Sequence, residues 1–185
     1  MPLFDDFDFQ PTLEGELLTL RPLQPEDYDD LFAAASDPLI WEQHPDFDRY
    51  QPDVYREFFR VALATGKAFV AIENASGRII GSSRYYVYQG ADDRVDLEIG
   101  WSFLARSHWG GMYNGEMKRL LLEHAFSTVE SVIFVIGPDN IRSYKAVEKI
   151  GGVRDGIAGH TEGEENYLYR VWRSARSAPN EDQPR

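Results

Sequence analysis

Hydrophobic and polar positions follow two rhythms along this chain, and the switches between them mark a series of short elements. Leu17 to Leu23 reads as a strand, and Pro25-Glu26-Asp27 opens a helix with acidic residues in its first turn, where the helix dipole favours them. That helix continues through Tyr28, Leu31, Phe32 and Ala35 and ends near Asp37-Pro38. A second helix covers about 52–64, with Val54, Phe58, Val61 and Ala62 on one side, and stops before Gly66. Strands are expected over 68–72, 78–88 and 95–103, separated by turns at 74–77 and 90–93. In the last of these, Val95, Leu97, Ile99, Trp101 and Phe103 alternate with Asp96, Glu98, Gly100 and Ser102, so the two sets should face opposite ways.

A glycine-containing loop at 106–111 opens a helix over about 112–127, with Met117, Leu120, Leu121 and His124 at helical spacing. Ser131 to Ile136 is the continuous apolar run of a buried strand. The turn at 137–140 leads into another helix that ends at Gly151-Gly152, and 153–158 with 167–172 reads as a closing hairpin. This order defines an α/β domain with a mixed sheet. Residues 1–12 form an acidic lead-in, 13–173 the domain, and 174–185 a polar tail expected to be disordered.

Composition narrows the function. The 185 residues suffice for one domain with a full core, and 43% hydrophobic with 27% charged residues is ordinary globular composition. There is no internal repeat, no apolar run reaches the roughly 20 residues that cross a bilayer, and the start lacks the basic and apolar pattern of a signal peptide. A cytoplasmic chain with no membrane partner is the expectation. A net charge of −12 argues against nucleic acid, whose affinity rests on Lys and Arg, and suits a cationic partner such as an amine. Absence of cysteine removes disulfides, thiolate metal sites and a cysteine nucleophile.

Two stretches carry candidate chemistry. In the first, the strand ending at Phe103 runs through Arg106-Ser107-His108-Trp109-Gly110-Gly111 directly into a helix. Such a junction gathers free main-chain N–H groups and the positive end of a helix dipole, which suits a phosphate, although a plain turn would also use two glycines. In the second, Asn140 stands at an N-cap, Gly151 at a C-terminal cap, and Lys149 in the last turn, as in any well-capped helix. Capping leaves Ser143 unexplained.

Together the two stretches resemble the GCN5-related N-acetyltransferase superfamily, in particular its branch of ribosomal-protein alanine acetyltransferases. The run Trp109-Gly110-Gly111-Met112-Tyr113-Asn114-Gly115-Glu116 is similar to that family's cofactor loop, and Asn140, Ser143, Glu148, Lys149 and Gly151 match its later helix motif. Glu98-Ile99-Gly100-Trp101 and the opening Leu18-Thr19-Leu20-Arg21-Pro22-Leu23 resemble the branch's corresponding strands. Met112 and Asn114 depart from the loop pattern by standing where glycine or alanine is expected, and Val147 replaces a tyrosine that many members use as an acid.

The resemblance implies a mostly antiparallel sheet flanked by helices and splayed between its central strands. Acetyl-CoA would lie in the gap, with no metal. It implies main-chain pairing of the pantetheine arm at Phe103, Leu104 and Ala105, and a pyrophosphate held by Arg106, Trp109, Gly110, Gly111, Met112, Tyr113 and Asn114, in a register shifted onto the two glycines. Asn140, Ser143 and Lys149 complete the cofactor set. Glu98 would serve as base or water anchor and Ser143 as donor to the leaving thiolate, with direct transfer to a primary amine, either a protein N-terminus or a small molecule. A purely binding domain for acyl-CoA, or transfer of a larger acyl group such as succinyl, are the alternatives. A monomer or homodimer is expected.

Beside these readings, Glu98 is also what the polar face of a strand would carry, and Ser143 what a helix uses to bond its preceding turn. Tyr85, Tyr86 and Tyr88 either line an acceptor cleft, with Tyr85 and Tyr86 the substrate-binding candidates, or pack as strand aromatics do. His44, His108, His124 and His160 are scattered without metal-ligand spacing, and His124 lies on its helix's apolar side. Neither a Gly-x-Ser-x-Gly elbow nor a P-loop is present.

Overall fold

The computed structural model describes residues 4–90, 94–161 and 163–176. Eight strands form one sheet in the order β1-β2-β3-β4-β5-β6-β8-β7. They are β1 (Leu13–Glu14), β2 (Leu18–Pro22), β3 (Ala68–Glu73), β4 (Ile79–Gln89), β5 (Val95–Leu104), β6 (Ser131–Ile136), β7 (Val153–Ala158) and β8 (Asn166–Trp172). The helices are α1 (Tyr28–Ala35), α2 (Pro52–Ala64), α3 (Met112–Ala125), α4 (Ile141–Glu148) and the single turn α5 (Arg173–Arg176). The expected element order is reproduced, with β1 added as a two-residue partner of β2. Of the turn expected at 90–93, positions 91–93 lie outside the described residues, as does the tail from 177 onward.

Helices cover both faces of the sheet. One face packs Leu20, Phe69, Leu97 and Val132 against Met117 and Leu121 of α3 and Val147 of α4. The other packs Val70 and Phe103 against Leu31 of α1 and Tyr55 and Phe59 of α2. The buried side of α2 is therefore its aromatic one, and Val61, expected to face inward, is 41% exposed. Phe4 and Phe7 in the stretch read as a lead-in are buried, and Phe7 meets Tyr85 edge-on at 5.2 Å.

Every neighbouring pair of strands is antiparallel except β5 and β6. Those two run parallel and pair only at Leu97↔Val132 and Glu98↔Ile133. Beyond Glu98 they part, giving the splay that the family resemblance implies. Arg170 of β8 fixes the paired end from beneath: it bonds both carboxylate oxygens of Asp96 on β5 (2.6 and 3.0 Å), Ser131 on β6 (2.9 Å) and Asp155 on β7 (2.6 Å). One guanidinium thus joins four strands. Because the Arg170 side chain is 4% exposed and that of Asp96 12%, removing the cation strands a carboxylate away from water. Arg170→Met should lose about 3 kcal/mol of unfolding free energy in urea titration, and an unchanged midpoint would refute the clamp.

Candidate active site

The alternation expected along β5 holds up to Ile99 and then breaks. Ser82↔Phe103 and Arg84↔Gly100 are paired across β4 and β5, so Ser83 faces both Trp101 and Ser102. This is a β-bulge, and Trp101 sits in it at φ +52°, the one non-glycine residue with positive φ among those described. The extra residue reverses the facing of everything after it. Leu104 joins Leu97 and Ile99 on the α3 face, while Phe103 packs against Trp41 at 5.2 Å on the α2 face. Trp101 is turned away from the apolar set it was expected to join and stands on the Glu98 side.

Glu98 is 1% exposed, and its carboxylate lies 2.8 Å from Nε2 of His160, in the loop between β7 and β8. Gly100 leaves room for that carboxylate, since a Cβ there would come within 2.9 Å of Oε1. Burial pushes Glu98 up from its ordinary range, partly opposed by the His160 bond. Burial also pulls His160 down, but the bond and charge of Glu98, with Glu164 adding to them, leave it net raised. The rings of Trp101, Tyr86 and Tyr88 surround His160 at 4.9, 5.6 and 5.9 Å. Tyr86 is thus retained as a candidate for acceptor contact. Tyr85 is not: it points to the opposite face, is fully buried, and donates its hydroxyl to the Leu121 carbonyl at 2.6 Å. Adjacent strand residues face opposite ways, so only one of the two tyrosines can share Glu98's side.

A polar cleft of about 180 Å³ opens here, lined by His44, Asp46, Arg49, Glu98, His160 and Glu164 among others. Burial, reinforced by the nearby Arg49 charge, takes His44 down to about 3, so this imidazole is neutral. Arg84 is buried behind the cleft with its guanidinium 3.6 Å from the centroid of Trp101, and its Nε and Nη1 have no hydrogen-bond partner. Burial, then the like charge of Arg49, bring Arg84 down to about 10. Stacked on the indole, it holds Trp101 in its strained conformation.

The second region is the gap itself. A cleft of about 70 Å³ lies between Gly100 and Ser102 of β5 and Phe134 and Ile136 of β6, with Asn140 and Ser143 at its α4 side. Asn140 caps α4, its Oδ1 accepting from the Ser143 N–H at 3.2 Å. Lys149 sits at the opposite end of α4, exposed, and is not brought to this cleft. At the loop before α3, Gly110 (φ +101°) and Gly111 (φ +132°) take the conformations only glycine adopts freely, with nothing within 4 Å of where a Cβ would stand. Gly111 is the N-cap and has no side chain to cap the helix, so the first N–H groups of α3 are open to a ligand. Met112 is 71% exposed and blocks nothing.

Several side chains of the expected cofactor set are engaged within the protein. Arg106 Nε bonds Asp37 at 2.6 Å, Trp109 donates to the Leu104 carbonyl at 2.9 Å, and Tyr113 donates to Glu73 at 2.6 Å. The Ala105 N–H is held by Ile80 of β4 at 2.7 Å, so it does not face the gap. What this stretch offers a phosphate is main chain at 110–114. Glu116, one turn on, accepts main-chain N–H groups of Glu16, Leu17 and Leu18 at 2.8–2.9 Å, fixing the start of α3 to the turn between β1 and β2.

His160, Arg84 and Lys118 of α3, which lines the gap, are the site residues that sequence reasoning missed. His160 lies 62 residues from Glu98, and no local pattern joins them. Among the described residues no group of three or more His, Cys, Asp or Glu is placed to hold a metal, and no helix is long and apolar enough to cross a membrane.

A mostly antiparallel sheet whose two parallel strands part after two pairs, flanked by helices on both faces, is the acyl-CoA N-acyltransferase fold. The sequence model of the acetyltransferase (GNAT) domain matches residues 18–153, and this chain belongs to that family. An uncharacterised N-acetyltransferase, p20, of Bacillus licheniformis is 26% identical over 168 residues, covering 87% of this chain and 93% of that one. Among solved structures, a GCN5-related N-acetyltransferase from Brucella melitensis superposes with a TM-score of 0.72 at 20% identity, over 90% of this chain and 80% of that one. RimJ of Mycobacterium smegmatis, solved in complex with CoA-disulfide, gives 0.66 at 18% identity, covering 91% and 90%. At these identities the structures establish the fold.

Two outcomes test this geometry. Asn140→Ala should cost about 1 kcal/mol through the lost cap, read as a lower thermal midpoint. In Glu98→Gln the His160 imidazole should titrate at lower pH than in the wild type, as followed by NMR, because burial then acts with less opposition.

Proposed function

We propose that this chain moves an acetyl group from acetyl-CoA to a primary amine by direct attack, without an acyl-enzyme. The observation that carries this reading is the Glu98–His160 pair, its carboxylate buried where β5 and β6 part and its imidazole facing a cleft that adjoins the gap. Bound acetyl-CoA supplies an electrophilic thioester carbonyl and a thiolate leaving group. The residues present suit it: open N–H groups at 110–114 for the pyrophosphate, a gap for the pantetheine arm, and Ser143 at its side.

An alkyl amine with a pKa of about 10.4 arrives protonated and cannot attack a carbonyl. Glu98 and Glu164 leave the cleft net negative beside the paired Asp46 and Arg49, which draws the ammonium in, and Tyr86 borders its approach. The Glu98–His160 pair takes the proton, directly or through water, freeing the nitrogen lone pair. As the new C–N bond forms and the C–S bond breaks, the Ser143 hydroxyl donates to the departing sulfur. The acceptor is a small amine or a protein N-terminal α-amine.

Met112, which departs from the family's loop pattern, points to solvent and leaves the start of α3 unobstructed. The deciding experiment is thiol release from acetyl-CoA across a panel of amines. Glu98→Gln should lower turnover about a hundredfold while donor affinity measured by calorimetry stays unchanged. Turnover in the wild type should rise with pH as the pair loses its proton. A Glu98→Gln variant with full turnover and an unaltered pH profile would remove the carboxylate from the mechanism.

A further inference from the structure

Lys118 is 4% exposed, on the side of α3 that faces the gap between β5 and β6. Its ammonium lies 4.6 Å from the centroid of the Phe134 ring. No carboxylate is within ion-pair distance of it among the described residues, and burial is the sole cause acting on its pKa, bringing it down to about 8. Burial disfavours the charged form, and an anion brought into the gap would restore it. The acceptor mechanism makes no use of Lys118, since that chemistry lies on the Glu98 side of β5.

An ammonium removed from water without a counter-ion is costly, and an aromatic face offsets only part of that cost. The missing anion has one place to come from, because Lys118 lines the slot between Gly100, Ser102 and Phe134 into which the donor's thioester end must pass. A methyl end leaves the cation unpaired. A short chain ending in a carboxylate supplies a charge-assisted hydrogen bond in a site shielded from water.

We infer that Lys118 sets donor selectivity, and that the gap takes a short acyl-CoA whose acyl group ends in a carboxylate, of the succinyl type, over a neutral acyl group of the same length. This rests on the acyl-CoA reading of the gap, keeps its transfer to an amine, and changes the preferred donor from acetyl-CoA to the larger acyl-CoA given as the alternative.

Calorimetry of the whole chain without any acceptor tests the inference, using coenzyme A itself, butyryl-CoA and succinyl-CoA as probes. Succinyl-CoA should bind about tenfold or more tightly than butyryl-CoA. Lys118→Met keeps the length of the side chain without its charge, and should abolish that difference while affinity for coenzyme A and butyryl-CoA is kept. Lys118→Gln serves as a second variant should Met disturb packing, and coenzyme A binding reports that either is folded. Equal affinities for the two thioesters in the wild type, with coenzyme A bound, would overturn the role of Lys118 and leave the acyl-CoA reading standing. Absence of heat with coenzyme A would overturn the reading, and the inference with it.

Discussion

The structure turns on how briefly β5 and β6 hold together. Parallel strands normally continue pairing for as long as both have main chain to offer, and here the ladder ends after Leu97 and Glu98. Two local causes keep the gap open. Arg170 ties the paired end through Asp96, Ser131 and Asp155, so the strands cannot slide to close it. The bulge at Trp101 reverses the facing of β5 just past the last pair and bends the strand away. Clamp and bulge together turn a continuous sheet into two halves with a slot between them.

Buried charge is concentrated around that slot. Glu98, Arg84, Arg49 and Lys118 all have little exposure, and each is treated differently by its surroundings. Glu98 gains His160, Arg49 gains Asp46 and His44, Arg84 lies on the face of Trp101 with Phe58 beyond it, and Lys118 lies on the face of Phe134. Groups held this way are costly to the fold and are kept where chemistry or recognition needs them. Among the described residues two further buried charges lie elsewhere, and both are fully paired: Asp27 with Arg21, and Arg170 with Asp96 and Asp155.

Much of this was legible in the sequence. Periodicity placed the strands and helices in order, because each helix buries one face on the sheet and each strand either alternates or, where both faces are covered, runs continuously apolar. Glycine spacing located the α3 turn, and Asn140 correctly marked the start of α4. The failures share a cause: they depend on which side a residue faces after a long-range event. Trp101 was assigned by strict alternation, which cannot anticipate an inserted residue in one strand. Tyr85 and Tyr86 looked equivalent until the register with Glu98 fixed which one shares its face. His160 and Lys118 reach the site from a distant hairpin and from the hidden side of a helix, where no sequence spacing records the encounter.

Glu116 adds a polar tie between the start of α3 and strands that the helix already packs against. Its carboxylate grips three successive amides at the far rim of the sheet, one turn from the glycines that open α3. The turn between β1 and β2 and the start of α3 are therefore one mechanical unit, like a lintel pinned to its jamb. A displacement at the first turn of the sheet is carried straight to the first turn of α3, and the glycine loop before that helix is steadied from the β1–β2 end of the sheet.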